Sequence, residues 1–182
     1  MSEVKEKIVF EGKIFQIVQL HQPNGEVWEV ARRAPGVRLI VKNPDATFKL
    51  SREHRSELGK EDIRLAGGKV FDTLSEFSKF LKSGKDIEEA AKSAAIKEAK
   101  EELGLENIQS IKLIEKSTLG ATVSWDLYIF EISDFEVGAQ QTHGHEQIEP
   151  LDLTKQQIFQ AIENGDFNED RIVPILLRYL AN

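Results

Sequence analysis

The chain has 182 residues, and its 31 acidic against 24 basic side chains give a formal net charge of −7 at pH 7. The length suits one domain with its own hydrophobic core, and an apolar share of 40% with a charged share of 30% is typical of a globular protein rather than a disordered one. The absence of cysteine excludes disulfides, thiolate metal sites and cysteine nucleophiles.

The N-terminal part of the chain is predicted to be β-structure. Apolar and polar residues alternate over residues 8–19 around Gly12, and Asn24 followed by Gly25 favours the tight turn of a β-hairpin. Further strands are predicted at residues 27–31, 37–41 and 46–50, and the second of these is apolar enough to be buried on both faces.

A long helix is predicted over residues 86–103. Asp86 with Glu89 has the form of an N-terminal capping box, and Gly104 stands where a helix-ending glycine is expected. The apolar stripe of this helix is mostly alanine, so we expect another element to pack closely against it. Strands follow at 111–115 and 125–132, and helices at 154–164 and 168–180. Strands around a central helix predict an α/β protein, specifically an α+β sandwich.

Three glutamates near the end of the long helix form the candidate chemical site. Glu98 and Glu102 lie four residues apart and therefore on one face, with Glu101 beside them. Like charges at this spacing are unfavourable, and the helix dipole disfavours anions in the last turn. A divalent cation would remove both penalties, since carboxylate oxygens are the ligands that Mg²⁺ prefers. The alternative is a solvated surface whose charge is offset by Lys97 and Lys100.

The residues around these glutamates resemble the signature of the Nudix hydrolases, Gly-x5-Glu-x7-Arg-Glu-U-x-Glu-Glu-x-Gly-U, where U is aliphatic. The signature positions are filled, in order, by Gly67, Glu89, Lys97, Glu98, Ala99, Glu101, Glu102, Gly104 and Leu105. Two departures are clear. Lysine replaces the signature arginine at position 97, and about 16 extra residues separate the opening glycine from the first glutamate, so residues 72–86 are predicted to be an inserted short helix and loop.

The resemblance implies a Nudix fold, in which a mixed sheet is packed between helices, and a hydrolase that depends on Mg²⁺, with Mn²⁺ as a substitute. It also implies that Glu98, Glu102 and the Ala66 carbonyl are metal ligands and that Glu101 is catalytic. A glutamate in a late loop is expected to be a ligand or the general base, and Glu146 is the best match. His143 and His145, in the same loop, are weaker candidates.

The layout resembles the branch of ADP-ribose pyrophosphatases and nucleoside diphosphate sugar hydrolases. That resemblance implies an N-terminal antiparallel β segment (residues 1–45) that builds a homodimer, followed by a Nudix domain (46–182) that contains the insertion 72–86. The implied enzyme is a pyrophosphohydrolase acting on acid anhydrides in phosphorus-containing compounds. Its expected substrates are ADP-ribose, ADP-sugars or UDP-sugars, cleaved to a nucleoside monophosphate and a sugar phosphate.

The expected substrate contacts come from a basic stretch and one aromatic side chain. Residues 32–69 hold ten basic and five acidic side chains, and a pyrophosphate requires cations. The predicted contacts are Arg32, Arg55, Arg64 and the Gly67 backbone. Trp28 is predicted to stack on the base, with a dimer interface as one route by which it reaches the substrate. Each is open to a plainer interpretation as a surface charge or a core side chain, and Trp125 is interpreted as core.

The distribution of charge adds one expectation. Residues 85–106 hold seven acids and four bases, and residues 133–149 hold four acids and no base, so these two segments carry −3 and −4 of the total of −7. We expect them to converge on a metal.

Localisation and partners are expected from absences in the sequence. No apolar run approaches the ~18 residues of a membrane span, and the charged N-terminus lacks the apolar region of a secretory signal. We therefore expect a cytoplasmic protein without membrane or nucleic-acid partners. Two other functions remain open: hydrolysis of nucleoside triphosphates or diadenosine polyphosphates, and binding of a nucleotide sugar by a catalytically silent module.

Overall fold

The computed structural model describes residues 3–56, 59–141 and 147–181. Its strands in chain order are β1 (Lys5–Glu11), β2 (Phe15–His21), β3 (Val27–Arg33), β4 (Gly36–Lys42), β5 (Phe48–Arg55), β6 (Lys60–Arg64), β7 (Leu105–Glu106), β8 (Ser110–Thr118), β9 (Val123–Ser124), β10 (Asp126–Ser133), β11 (Glu136–Val137) and β12 (Ile148–Leu153). Its helices are α1 (Leu74–Lys82), α2 (Ile87–Leu103), α3 (Lys155–Glu163) and α4 (Val173–Ala181).

The first three strands form an antiparallel sheet, to which β9 adds in parallel beside β3. The β-structure predicted over residues 8–19 is divided between β1 and β2, because the Gly12 amide donates to the Phe15 carbonyl and the chain turns between them. This sheet carries several large exposed apolar side chains, among them Phe10 and Trp28, the latter 53% exposed. β4 belongs to the other large sheet, so the consecutive strands β1 to β3 of the N-terminal sheet end at Arg33.

The central sheet has the strand order β12-β5-β4-β10-β8, with β6 paired to β5. β4 and β10 are parallel neighbours, and the remaining pairs are antiparallel. The period-two alternation of strands places Val37, Leu39 and Val41 on one face of β4 and Ile40 on the other. All four side chains are buried, as predicted for a strand covered on both faces.

The central sheet lies between α2 on one face and α3 with α4 on the other. Ala91, Ala95 and Ala99 of α2 are fully buried against the sheet, and these small side chains let the helix backbone approach it closely. The predicted fold class, an α/β protein of the α+β sandwich type with a mixed sheet between helices, is confirmed. No helix in the described part of the chain is long and apolar enough to cross a membrane.

The ends of α2 follow their local sequence. Asp86 caps the N-terminus, but its side chain accepts from the Glu88 amide, and no reciprocal bond from Glu89 completes the predicted capping box. Gly104 ends the helix in the left-handed region at φ 66°, and a Cβ there would lie 2.7 Å from the Gly138 carbonyl oxygen. The helix therefore stops where a glycine allows the chain to turn.

The inserted segment contains the predicted short helix, α1, which Thr73 caps. The Phe71 ring packs against the rings of Phe77 and Phe80, and the Leu74 amide donates to the carbonyl of Lys13 in the connection between β1 and β2. The final helix starts at Val173 rather than at residue 168.

Replacing Ala95 by leucine tests the close packing of α2. The larger side chain would enter a fully buried position, and we expect a loss of about 1–3 kcal/mol in the free energy of unfolding, measured by denaturant titration. Ser93→Leu, on the exposed side of the same helix, is the matched control and should be within about 0.5 kcal/mol of wild type. Equal stabilities of the two variants would contradict this packing.

Candidate active site

Gly67 and Gly68, called the diglycine turn below, lie beside β4 and contact glutamates near the C-terminal end of α2. The Leu39 amide donates to the Ala66 carbonyl and the Val37 amide to the Gly68 carbonyl, both at 2.9 Å. Gly67 has φ 144°, and a Cβ on it would lie 2.3 Å from the Val37 carbonyl oxygen. Position 67 therefore requires glycine for both its conformation and its packing.

The carboxylates of Glu98 and Glu102 both reach this turn. The Gly67 amide donates to Oε2 of Glu102 at 2.9 Å. Gly68 is so close to the other carboxylate that a Cβ on it would lie 2.2 Å from Oε1 of Glu98. The i, i+4 spacing predicted from the sequence thus brings two carboxylates to one backbone turn.

The electrostatics of Glu102 are unfavourable for its charged form. The pKa of its carboxyl is raised to about 7. Burial is the largest cause, and the charges of Glu98 and Glu53 also raise it, whereas the Gly67 amide and Arg38 act in the opposite direction. A carboxylate held in this way gains most from a cation placed against it. Perturbation of this kind at a cleft is typical of functional sites.

Glu101 forms an ion pair with Lys97. The Lys97 ammonium lies 3.1 Å from Oε2 of Glu101, whose side chain is only 17% exposed. The hydrogen bond to Glu101 raises the pKa of Lys97. The lysine at the signature arginine position therefore still pairs with a glutamate, although through a single ammonium rather than a planar fork.

The oxygen atoms at this site supply part of the ligand set that a hard divalent cation requires. Glu98 and Glu102 supply carboxylate oxygens, and the Ala66 carbonyl, already bonded to the Leu39 amide, retains one lone pair. Within residues 3–56, 59–141 and 147–181, no three acidic or histidine side chains come together as a complete ligand set. Further oxygens from backbone, water or substrate would be needed, which is usual for Mg²⁺.

The second acidic segment, residues 133–149, lies close to the end of α2 in its described part, residues 133–141 and 147–149. The Gln141 amide donates to the Glu101 carbonyl, and the Gln140 side-chain amide donates to the carbonyls of both Glu102 and Ile148. Gln140 therefore connects the two sides of the late loop to the helix end. Glu146, His143 and His145 lie outside the described residues, so their predicted roles stay predictions.

The predicted arginine contacts are engaged in ion pairs. Arg64 lies 3.6 Å from Glu53 and 3.5 Å from Glu169, and Arg55 lies 3.3 Å from Glu53. Since Glu53 contributes to the raised pKa of Glu102, this charged group borders the candidate site. A substrate phosphate would have to compete with these carboxylates.

Arg32 and Trp28 lie in the N-terminal sheet. The Arg32 guanidinium is 2.9 Å from Glu6 of β1, which lies on the other side of β2 in the same sheet, and Trp28 is exposed on that sheet. No described contact joins either residue to the diglycine turn, and a contribution from a second copy of the chain would be needed to use Trp28 as predicted.

Arg38 is a charged residue at the site that the sequence interpretation missed. It is 8% exposed, its Nε donates to Glu169 at 2.7 Å, and its charge stabilises the ionised form of Glu102. The signal was present in the sequence, because one arginine interrupts an otherwise apolar strand, and a buried charge requires a partner.

The pH dependence of stability tests the environment of Glu102. Its folded pKa of about 7 exceeds its ordinary value of 4.5, so the folded protein binds the proton more tightly and loses stability as pH rises through this range. Without divalent metal, we expect Glu102→Gln to be more stable than wild type at pH 8, by up to about 3 kcal/mol, and the difference to shrink towards pH 5. Thermal unfolding in a chelator measures it. Parallel pH profiles would contradict this assignment.

Comparison with known proteins gives a structural relative. No protein-family model matches the chain, and no curated protein sequence matches it. A solved structure described as the crystal structure of an ADP compounds hydrolase superposes with a TM-score of 0.66 at 20% sequence identity, covering 97% of this chain and 89% of that one. The chain therefore has the fold of this hydrolase over nearly its whole length, which is consistent with the predicted Nudix fold.

Proposed function

We propose that the chain is a divalent-metal-dependent pyrophosphohydrolase that cleaves nucleoside diphosphate sugars to a nucleoside monophosphate and a sugar phosphate. The observation that carries the proposal is the convergence of Glu98 and Glu102 on the diglycine turn, where the pKa of the Glu102 carboxyl is raised to about 7. The fold shared with an ADP compounds hydrolase supports a substrate that contains a nucleoside diphosphate.

Each residue of the site has a proposed part in the reaction. Glu98 and Glu102 hold Mg²⁺, or Mn²⁺ in its place, together with the Ala66 carbonyl. The bound ion supplies charge neutralisation on the pyrophosphate and acidifies the attacking water. The Gly67 amide fixes the Glu102 carboxylate, and Glu101, oriented by Lys97, accepts a hydrogen bond from the attacking water. Glu146 is proposed as a further ligand or as the general base.

Substrate recognition and assembly are proposed from the remaining residues. Arg55 and Arg64, on strands beside the site, bind phosphate or sugar oxygens in exchange for one of their carboxylate partners. The exposed apolar side chains of β1 to β3 support a homodimer in which Trp28 of a second copy stacks on the base. Large exposed apolar patches are typical of interfaces.

A substrate panel with Mg²⁺ and with Mn²⁺ tests the function. We expect nucleoside monophosphate to be released from ADP-ribose, ADP-sugars or UDP-sugars, and Glu102→Gln to lower kcat/KM by at least about 100-fold because a metal ligand is lost. Glu88→Gln, an exposed carboxylate of the same helix, is the matched control and should keep the wild-type rate. Release of pyrophosphate from triphosphates, or ligand binding without turnover, would overturn the proposal.

Gly68→Ala tests the same site without removing a carboxylate. The new Cβ would meet Oε1 of Glu98 at 2.2 Å, and the flexible side chain would have to move away from the turn. We expect a loss of activity of at least about 10-fold with a melting temperature near that of wild type, because the fold keeps its backbone contacts.

The contrasting variant is Gly67→Ala, whose Cβ would meet a backbone oxygen that cannot move aside. Its main effect should be on stability. If Gly68→Ala retained full activity, the position assigned to Glu98 in catalysis would be wrong.

A further inference from the structure

A group of charged side chains from β4, β5, β6 and the connection between α3 and α4 borders the candidate active site. Its members are Arg38, Arg55, Arg64, Glu53, Asp62 and Glu169. Each arginine of the group has a carboxylate within 3.6 Å. A phosphate that binds one of these arginines must therefore take the place of a carboxylate or share the guanidinium with it. The three acids differ in how easily they could be replaced.

Two of the acids are committed to the fold. Oε1 of Glu169 accepts from Nε of Arg38 at 2.7 Å and lies 2.6 Å from Nη2 of the same guanidinium, whose third nitrogen donates to the Val37 carbonyl at 2.9 Å. The Asp62 side chain is only 4% exposed and accepts from both the backbone and the side-chain amide of Asn168, at 3.0 and 3.1 Å. Since buried charges that lose their partners are costly, neither acid is suited to exchange.

Glu53 is held more weakly than the other two acids. Its Oε2 atom lies 3.3 Å from Nη1 of Arg55 and 3.6 Å from Nη1 of Arg64, which is longer than the contacts of Glu169 with Arg38. Its side chain is 23% exposed, against 14% for Glu169, and ion pairs that solvent reaches contribute little to stability. Asp62, its direct partner across β5 and β6, carries a like charge that repels it. Glu53 can therefore leave its arginines at a small cost.

The position of the Glu53 carboxylate suits a phosphate. A phosphate oxygen in the place of Oε2 would lie within reach of two guanidinium groups, and arginine binds phosphate oxygens through strong, charge-assisted hydrogen bonds. Arg64 would not be left without support, because its Nη2 atom also lies 3.5 Å from Glu169. The charge of Glu53 acts on Glu102, whose pKa it helps to raise, so this exchange would take place at the border of the proposed metal ligands.

We propose that Glu53 sets the affinity for the substrate by acting as an internal competitor. In the free protein its carboxylate occupies the position beside Arg55 and Arg64 that a phosphate of the substrate takes, and the incoming phosphate displaces it towards solvent. Glu169 stays in place and continues to hold Arg64. This role of Glu53 rests on the proposed function, since it requires a substrate that contains a nucleoside diphosphate.

Calorimetry measures this competition without turnover. The probe is α,β-methylene-ADP with Mg²⁺, a diphosphate whose bridging carbon resists hydrolysis. Glu53→Gln should tighten its binding by about 3- to 10-fold, because the competing charge is removed while the shape of the side chain is kept. Glu115→Gln is the matched control. Glu115 also pairs with an arginine, Arg178 at 2.9 Å, but on β8 at the other edge of the central sheet, and this variant should bind the probe as wild type does.

A double-mutant cycle separates competition for the arginine from general repulsion of the ligand. Arg64→Met should weaken binding of the probe by at least about 10-fold. In that background the gain from Glu53→Gln should fall at least about 2-fold, because Arg64 is no longer there to be released. If Arg64→Met fails to fold, Arg55→Met takes its place in the cycle, since Arg55 also pairs with Glu53.

Kinetics with ADP-ribose and Mg²⁺ give a second readout. Glu53→Gln should lower KM by the same factor and keep kcat within about 2-fold, a split that a purely structural role would not produce. Absence of probe binding, an unchanged affinity in Glu53→Gln, an equal gain in Glu115→Gln or an undiminished gain in the cycle would overturn the role of Glu53. Absence of turnover by the wild-type protein would instead overturn the proposed hydrolysis, and calorimetry would still decide on Glu53.

Discussion

The hydrogen bond from the Gly67 amide to the buried Glu102 carboxylate is the interaction on which the site depends. It holds one carboxylate against a backbone turn, while the neighbouring Glu98 packs on Gly68. The cost is visible in the raised pKa of Glu102. A carboxylate with an unfavourable charged form lowers the stability of the fold at neutral pH, and a cation bound against it would offset that cost.

The rest of the fold makes this contact possible. β4 fixes the turn through bonds to the Ala66 and Gly68 carbonyls, and the buried alanines of α2 let the helix lie close enough for its glutamates to reach it. Around this centre, Arg38 pairs with Glu169, and Arg64 lies between Glu169 and Glu53. The acidic site is therefore backed by a network of alternating charges rather than by apolar side chains alone.

The sequence predicted the elements whose local signals are strong. The helix ending at Gly104, the doubly buried strand and the i, i+4 glutamates are set by helix-capping chemistry, apolar periodicity and spacing, which are local properties. The alternation over residues 8–19 does not show where the chain turns between β1 and β2, because apolar residues continue on both sides of Gly12. The pairing of Arg64 and of Arg38 with Glu169 arises from contacts between residues far apart in the chain, which composition and spacing do not encode.

The central claim is that Glu98 and Glu102 form a divalent-cation site at the diglycine turn. Titration of the full chain with Mn²⁺, followed by electron paramagnetic resonance of the free ion, measures this most directly because it requires no substrate. The account predicts saturable binding to the wild-type protein that weakens at least about 10-fold in both Glu98→Gln and Glu102→Gln. Equal Mn²⁺ affinity in the wild-type protein and both variants would contradict it.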